Sequence, residues 1–346
     1  MPEYPSHKPF VFLVGCERSG TTLLRAILSA HSELAIPGES YFIIEMLRCR
    51  SRYEREGHLN QERFVNDLSA HRWFARWSLP VTHIERALER RRPRDVPGAL
   101  RAVFEAYAES QGKARYGDKT PRYVLELPLL AESFPEARFI HIIRDGRDVA
   151  LSLVERTHRR PNSVGEAAMF YRRAVSLGRR AGRTLGSRYM EVCYEQLVET
   201  PATVTSQICE FVGLEYEDRM LRYYDDADAI VASFDRPEFH HNLFRPPSPK
   251  LRDWRSAMTA HQQHLFEVIA GPLLRDLGYE THCRHPSSAY AQGALAAAGY
   301  AARLAPRGAT RFASAWTVRR RSGEQLTGRA KRGLKTSSML GQDGLR

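Results

Sequence analysis

Two anion cradles and one carboxylate stand out as residues that could do chemistry together. The run Gly15-Cys16-Glu17-Arg18-Ser19-Gly20-Thr21-Thr22 has the G-x4-G spacing of a phosphate-binding loop. Successive backbone N–H groups in such a loop form a concave nest for an anion, and a helix starting there adds partial positive charge. Arg18 is the cation inside the run. Loops that serve nucleoside triphosphates carry Lys before their Ser/Thr, to hold the β- and γ-phosphates. Thr21 occupies that place here. The phosphate cradle survives the change, because backbone and hydroxyls make it; the lysine-dependent chemistry does not. A second candidate is Arg144-Asp145-Gly146-Arg147-Asp148-Val149-Ala150-Leu151-Ser152. Arg144 is a forked donor, and Ser152 follows about two helical turns later, so both could converge on one phosphate. Two phosphate sites suit a ligand with two separate anionic groups. The carboxylate is Glu39, in Ile36-Pro37-Gly38-Glu39-Ser40. A group of this kind could take a proton from an acceptor.

The elements that must position these groups read as alternating strand and helix. Phe10-Val11-Phe12-Leu13-Val14 is a continuous apolar run ending in Gly15, as in a strand buried on both faces. Leu23, Leu24, Ile27 and Leu28 then recur at helical spacing. The chain returns through Glu39 toward the strand ends, where ligands sit in open α/β sheets. Residues 42–115 read as mostly helical and charged, with Trp73, Phe74 and Trp77 lining a pocket or packing in a core. Arg115–Gly117 is expected as a short strand running into the loop Asp118-Lys119-Thr120-Pro121. One helix is expected over 121–133, with Thr120 as its cap and Pro121 at its first position. Arg138–Ile143 reads as a second buried strand leading into the second cradle. A helix over 164–183, a strand over Arg188–Tyr194, and a helix capped by Thr200, opened by Pro201 and ended by Gly213 follow. Thr259–Leu277 is the last strong helix, closed by Gly278. The pattern predicts an α/β fold: a central parallel sheet flanked by helices, with a P-loop nucleotide-kinase-like core and a basic, weakly structured C-terminal tail.

At these residues a family becomes visible. Phe10 to Glu39, with Arg18-Ser19-Gly20-Thr21-Thr22-Leu23-Leu24, resembles the 5′-phosphosulfate loop of sulfotransferases that use 3′-phosphoadenosine 5′-phosphosulfate (PAPS) as donor. The likeness is to the bacterial branch and, in motif pattern, to the tyrosyl-protein branch, which has Arg in the loop. The resemblance implies a donor site of Arg18, Ser19, Gly20, Thr21 and Thr22 with Arg144 and Ser152 on the 3′-phosphate. Tyr194, in Tyr194-Glu195-Gln196-Leu197, matches a tyrosine near the adenine, and a core tyrosine at a strand end is an equal reading. Lys250 and Arg252, in Lys250-Leu251-Arg252-Asp253-Trp254, resemble a late basic segment that closes over the 3′-phosphate. Lys119 matches the family's sulfonate-contacting lysine, so Arg18 and Lys119 are the expected catalytic cations. Glu39 lies 21 residues after Arg18, the spacing of the tyrosyl-protein branch's catalytic Glu, although Pro37-Gly38 departs from that branch's pattern. Glu17 beside an anion site must point away or pair with a basic residue. Sulfuryl transfer needs a base, cations and in-line alignment. Its phosphate leaving group is already good, so no metal is expected. The acceptor is expected to be a hydroxyl on a glycolipid, carbohydrate, phenolic metabolite or peptide tyrosine. A nucleotide kinase or NTPase, and a nucleotide-binding protein without chemistry, are the other readings.

The 346 residues are 42% hydrophobic and 27% charged, which excludes collagen-like and wholly disordered chains. The net charge is +12, but residues 286–346 hold eleven basic and two acidic residues. The excess is therefore mostly a tail property and gives no reason to expect a nucleic-acid partner. Expected domains are a catalytic domain over 1–285 and a basic low-complexity tail over 286–346, which could touch anionic membrane peripherally. Five scattered cysteines, no CxxC pair and no long apolar run point to a reduced, cytoplasmic setting.

Overall fold

In a computed structural model, the described residues are 8–155, 161–227, 243–247 and 253–282. The strands are β1 (Val11–Gly15), β2 (Leu34–Ala35), β3 (Glu54–Arg55), β4 (His58–Leu59), β5 (Arg115–Lys119), β6 (Arg138–Ile143) and β7 (Tyr189–Cys193). Five of them form one sheet in the order β2-β5-β1-β6-β7. Every pair in it is parallel. β3 and β4 make a separate antiparallel hairpin. All five residues of central β1 are buried, which explains its unbroken apolar reading.

Helices cover both faces: α1 (Thr21–Ser29), α2 (Phe42–Arg48), α3 (Gln61–Ser69), α4 (Val81–Arg91), α5 (Val96–Ser110), α6 (Leu127–Ser133), α7 (Gly146–Val154), α8 (Val164–Leu185), α9 (Tyr194–Glu199) and α10 (Pro201–Val212). A short helix, Trp254–Ala257, and a longer one, Ala260–Asp276, follow. The two-residue period of β1 sorts its side chains between two cores. Val11 and Leu13 join Ile140 and Ile142 of β6, Leu24, Ile27 and Leu28 of α1, and Ile208 of α10. Phe10 and Phe12 face the other way. Phe12 stacks on its register partner Phe139, with centroids 5.4 Å apart, and Phe10 packs against Phe104 of α5 at 4.7 Å.

The strand order creates the site's location. From β1 the chain departs through α1 toward β2, on one side of the sheet. From β6, which is hydrogen-bonded to β1, it departs through α7 toward β7, on the other. The crevice at the C-terminal ends of β1 and β6 is thus a topological switch point, where open α/β sheets bind ligands.

Four local expectations need correction. The single helix over 121–133 is two pieces, a 3-10 turn at Pro121–Leu125 and then α6. Pro128 has no N–H to donate to the carbonyl four residues back, and Glu126 leaves the helical region with φ −122° and ψ 13°. The strand expected to stop at Gly117 runs on to Lys119, so Asp118 and Lys119 are strand residues. Neither Thr120 nor Thr200 caps with its side chain. The Thr200 hydroxyl donates instead to the Gln196 carbonyl at 3.1 Å, within the end of α9. The strand expected over Arg188–Tyr194 is Tyr189–Cys193, and Tyr194 opens α9.

Candidate functional site

The first cradle is built by backbone conformation. Gly15 must be glycine because β1 runs so close to β6 that a Cβ there would lie 2.7 Å from the Ile142 carbonyl oxygen. The loop then turns through Arg18 and Gly20, both left-handed, with φ 73° and 97°. Alternation of left- and right-handed residues turns consecutive N–H groups inward, which is the geometry of an anion nest. Gly20 is the residue preceding α1, and it supplies no side-chain cap to the first turn. A Cβ on Gly20 would also strike the Tyr194 ring at 2.3 Å. Ser19 is fully buried, and its Oγ has no hydrogen-bond partner among the described residues.

The second cradle abuts the first. Arg18 Nε donates to Ser152 Oγ at 2.9 Å, across 134 residues of sequence. Ser152 sits on α7, as its spacing from Arg144 requires. Arg144 lies at the C-terminal end of β6, with its guanidinium 4.4 Å from the centroid of Tyr194. It donates to Asp148 Oδ2 at 3.2 Å, while its buried Nε has no partner among the described residues. Asp148 Oδ1 accepts from the backbone N–H of Trp254 at 2.9 Å. Burial raises the Asp148 carboxyl, against the pull of Arg144. Behind this layer Arg147 is buried between Asp145 and Glu267, each 2.8 Å away, with Trp254 on its face at 3.6 Å. That buried triad holds α7 and the loop before it in place.

Beside the cradles, Lys119 ends β5, the other neighbour of β1. Its Nζ donates to Glu39 Oε1 at 2.7 Å. Lys119 is 1% exposed and the Glu39 side chain 23%, so the pair is buried on the lysine side and open on the carboxylate side. Burial pushes the Glu39 carboxyl upward. The Lys119 charge, hydrogen bonds from Lys119 and Tyr41, and the Arg25 charge together hold it below the usual carboxylate range. Burial lowers the Lys119 ammonium and Arg25 adds to that, against Glu39. Arg25, on α1, donates Nε–H to the Ile36 carbonyl at 3.0 Å and so ties down the segment leading to Glu39. Tyr41 packs on Trp73 at 4.5 Å, and the Arg76 guanidinium covers Trp73 at 4.2 Å. An aromatic, partly cationic wall therefore stands next to Glu39. Glu17 faces Arg122 at 4.0 Å, resolving the awkward carboxylate of the loop by pairing.

The fold brings Arg18, Ser19, Gly20, Thr21, Thr22, Arg144, Ser152 and Tyr194 to one crevice and sets Glu39 and Lys119 beside it. Tyr194 lies against the loop glycine and under Arg144. Lys250, Arg252 and the tail over 286–346 lie outside the described residues. Sequence reasoning passed over Tyr41, Arg25, Asp118 and Thr120 as contributors. For Tyr41 the proximity to Glu39 was a signal. For the others nothing in the linear spacing joined them to it.

The polar inventory fits a doubly anionic nucleotide. Ser19 Oγ and Arg144 Nε are buried donors without a protein partner among the described residues, one in each cradle. A model of the sulfotransferase family matches residues 9–218. The chain is 27% identical over 296 residues to protein-tyrosine sulfotransferase 1 of Danio rerio, covering 82% of this chain and 76% of that protein. It is likewise 27% identical to nodulation protein NoeE of Sinorhizobium fredii, over 80% of this chain and 68% of that one. The solved sulfotransferase domain of the Synechococcus PCC 7002 olefin synthase superposes with a TM-score of 0.56 at 24% identity. That superposition covers 81% of this chain and 98% of that domain, a likeness of fold.

Proposed function

The chain belongs to the sulfotransferase family, and on that premise we propose that it moves a sulfonate from PAPS to an acceptor hydroxyl, with Glu39 as general base. The observation that carries this reading is the Arg18–Ser152 hydrogen bond, which joins two anion cradles into one crevice beside the Lys119–Glu39 pair. A donor with a 5′-phosphosulfate and a 3′-phosphate would use both cradles; a nucleoside triphosphate would use one. The loop N–H groups, the start of α1 and Arg18 would hold the 5′ side. Arg144 and Ser152 would hold the 3′-phosphate.

When bound, PAPS supplies the sulfonate together with a good phosphate leaving group. Lys119 and Arg18 would stabilise negative charge on the transferring group and the leaving oxygen. Glu39 is ionised at neutral pH, since its carboxyl is held low, and it would take the proton of the acceptor hydroxyl at a carboxylate oxygen. The new bond is from acceptor oxygen to sulfur; the bond lost is from sulfur to the phosphate oxygen. Partial exposure of Glu39 leaves an approach for the acceptor past Tyr41 and Trp73. Glycolipid, carbohydrate, phenolic metabolite and peptide tyrosine are the acceptor classes to test, with a tyrosine peptide first, because the zebrafish relative bears that name.

The test is transfer of labelled sulfonate from PAPS to a metabolite extract and to tyrosine peptides, with mass identification of the product. Calorimetry should show binding of 3′-phosphoadenosine 5′-phosphate (PAP) and little response to ATP with Mg²⁺. Tighter binding of ATP–Mg²⁺ would favour the kinase or NTPase reading. PAP binding without product from any acceptor would favour a binding protein.

A further inference from the structure

The segment that carries Glu39 turns sharply straight after it. Tyr41 sits at φ 44°, ψ −25°, a conformation that bulky residues rarely adopt. The Phe42 N–H donates back to the Ser40 carbonyl, closing a tight three-residue turn around Tyr41. Strain of this kind persists only where the surroundings over-determine it, and it concentrates at functional sites.

The surroundings here are a buried polar network from the far side of the molecule in sequence. Ser40, Asp118 and Thr120 are each 0% exposed. Thr120 Oγ1 donates to Asp118 Oδ1 at 3.2 Å. With its proton so committed, the same oxygen accepts the Ser40 backbone N–H at 3.0 Å. The Ser40 hydroxyl lies 3.3 Å from Thr120 Oγ1 and 2.9 Å from the Tyr123 hydroxyl. Asp118 and Lys119 are consecutive in a strand, so their side chains leave opposite faces. Lys119 grips the Glu39 carboxylate while Asp118, through Thr120, grips the peptide just beyond Glu39. One strand end thus holds both the head of the carboxylate and its backbone.

We propose that Thr120, oriented by Asp118, is a positioning residue for the sulfonate-transfer step: it fixes the Glu39–Ser40 peptide and thereby aims the Glu39 carboxylate. The inference rests on the reading of Glu39 as base. It assigns no contact with donor or acceptor to Thr120. A misplacement on the order of 1 Å in a reacting group can cost roughly a hundredfold in rate.

The experiment compares wild type with Thr120→Val, which keeps the shape and loses the hydroxyl, and Thr120→Ser, which keeps the hydroxyl. Three readouts are taken: labelled sulfonate transfer from PAPS to the metabolite extract, PAP affinity by calorimetry, and amide hydrogen exchange of the peptide spanning residues 37–44. In Thr120→Val we expect transfer to fall roughly ten- to a hundredfold, PAP affinity to stay within about threefold, and exchange at Ser40 to quicken. Thr120→Ser should restore most of the transfer. Should Thr120→Val not fold, Tyr123→Phe removes the other arm at Ser40 and should give faster exchange there with a severalfold loss of transfer. Unchanged transfer in the folded variant overturns the proposal. So does a loss of transfer matched by an equal loss of PAP affinity, or one that Thr120→Ser leaves unrestored. If Glu39→Gln transfers as well as wild type, the base assignment fails instead, and Ser40 exchange still reports whether the clamp exists.

Discussion

The cradles proposed for the donor and the side of the crevice proposed for the base differ in how their hydrogen-bond donors are used. In the cradles, backbone N–H groups converge with Arg18 and Arg144; Arg144 is paired with Asp148, yet its Nε, like Ser19 Oγ, has no protein partner among the described residues. On the base side the charges are already compensated: Lys119 is paired with Glu39, and Arg25 and Asp118 stand close behind. On the proposed reading, one crevice serves two tasks. A site that binds a multiply charged donor gains from buried hydrogen-bond donors that no protein group has satisfied. A base must keep its proton affinity tuned, which is done by pairing and burial rather than by net field.

That division can be attacked most strongly at Glu39. Glu39→Gln should lower transfer by roughly 10²–10⁴-fold while PAP affinity by calorimetry stays within about threefold. A matched loss of both would show that the two ends are not separable. On the donor side, Arg144→Met should weaken PAP binding by about 10–100-fold, the worth of charge-assisted hydrogen bonds. The affinity for adenosine 5′-phosphosulfate, which lacks the 3′-phosphate, should barely change. Equal losses for both ligands would remove Arg144 from the 3′ site.

A pH experiment sharpens the base side. Burial pushes the Asp118 carboxyl up to about 7, against hydrogen bonds from Ser40 and Thr120 and the Lys119 charge. The unfolded chain gives up this proton near pH 4, whereas the folded chain keeps it until about 7. Stability therefore falls as pH rises through that window and levels off above it. Asp118→Asn should escape this fall, gaining on the order of 2–4 kcal/mol relative to wild type between pH 4 and pH 8 in denaturant titrations. A constant difference across that range would contradict the assignment. The smallest effect is expected for Ser152→Ala. Removing the hydroxyl that accepts from Arg18 Nε should weaken PAP binding by about three- to tenfold, since a single hydroxyl is worth roughly 1 kcal/mol. No change would mean that the Arg18–Ser152 bond does not report the joining of the two cradles.

The two ends also differ in how far they could be read from the chain. The cradles are local: a loop between one strand and the helix that follows it, so Gly15, Arg18, Gly20 and Thr21 lie within seven consecutive positions. Contiguity makes such a motif visible without coordinates. Arg144 and Ser152 are visible for the same reason, one at the end of β6 and the other on α7 just after it, eight positions apart. The α/β class followed from short apolar runs at β1 and β6, of strand length and alternating with helical patterns. The split at Pro128 is legible in principle, because a proline there cannot donate to the carbonyl four residues back.

What the sequence determined by itself was thus the type of the main strands and helices, the two cradles and the identity of Glu39 and Lys119 as candidates. Short-range sterics and hydrogen bonding act within one loop or one helix, and they are written in neighbouring residues. Only the tertiary structure decided that Ser152 meets Arg18 across 134 positions and that Thr120 holds the Ser40 amide across 80. The order of strands in the sheet makes those meetings, and that order is selected by burial of two whole faces of β1 at once. No single stretch of residues carries such information, because hydrophobic burial is non-directional and sums over the entire core.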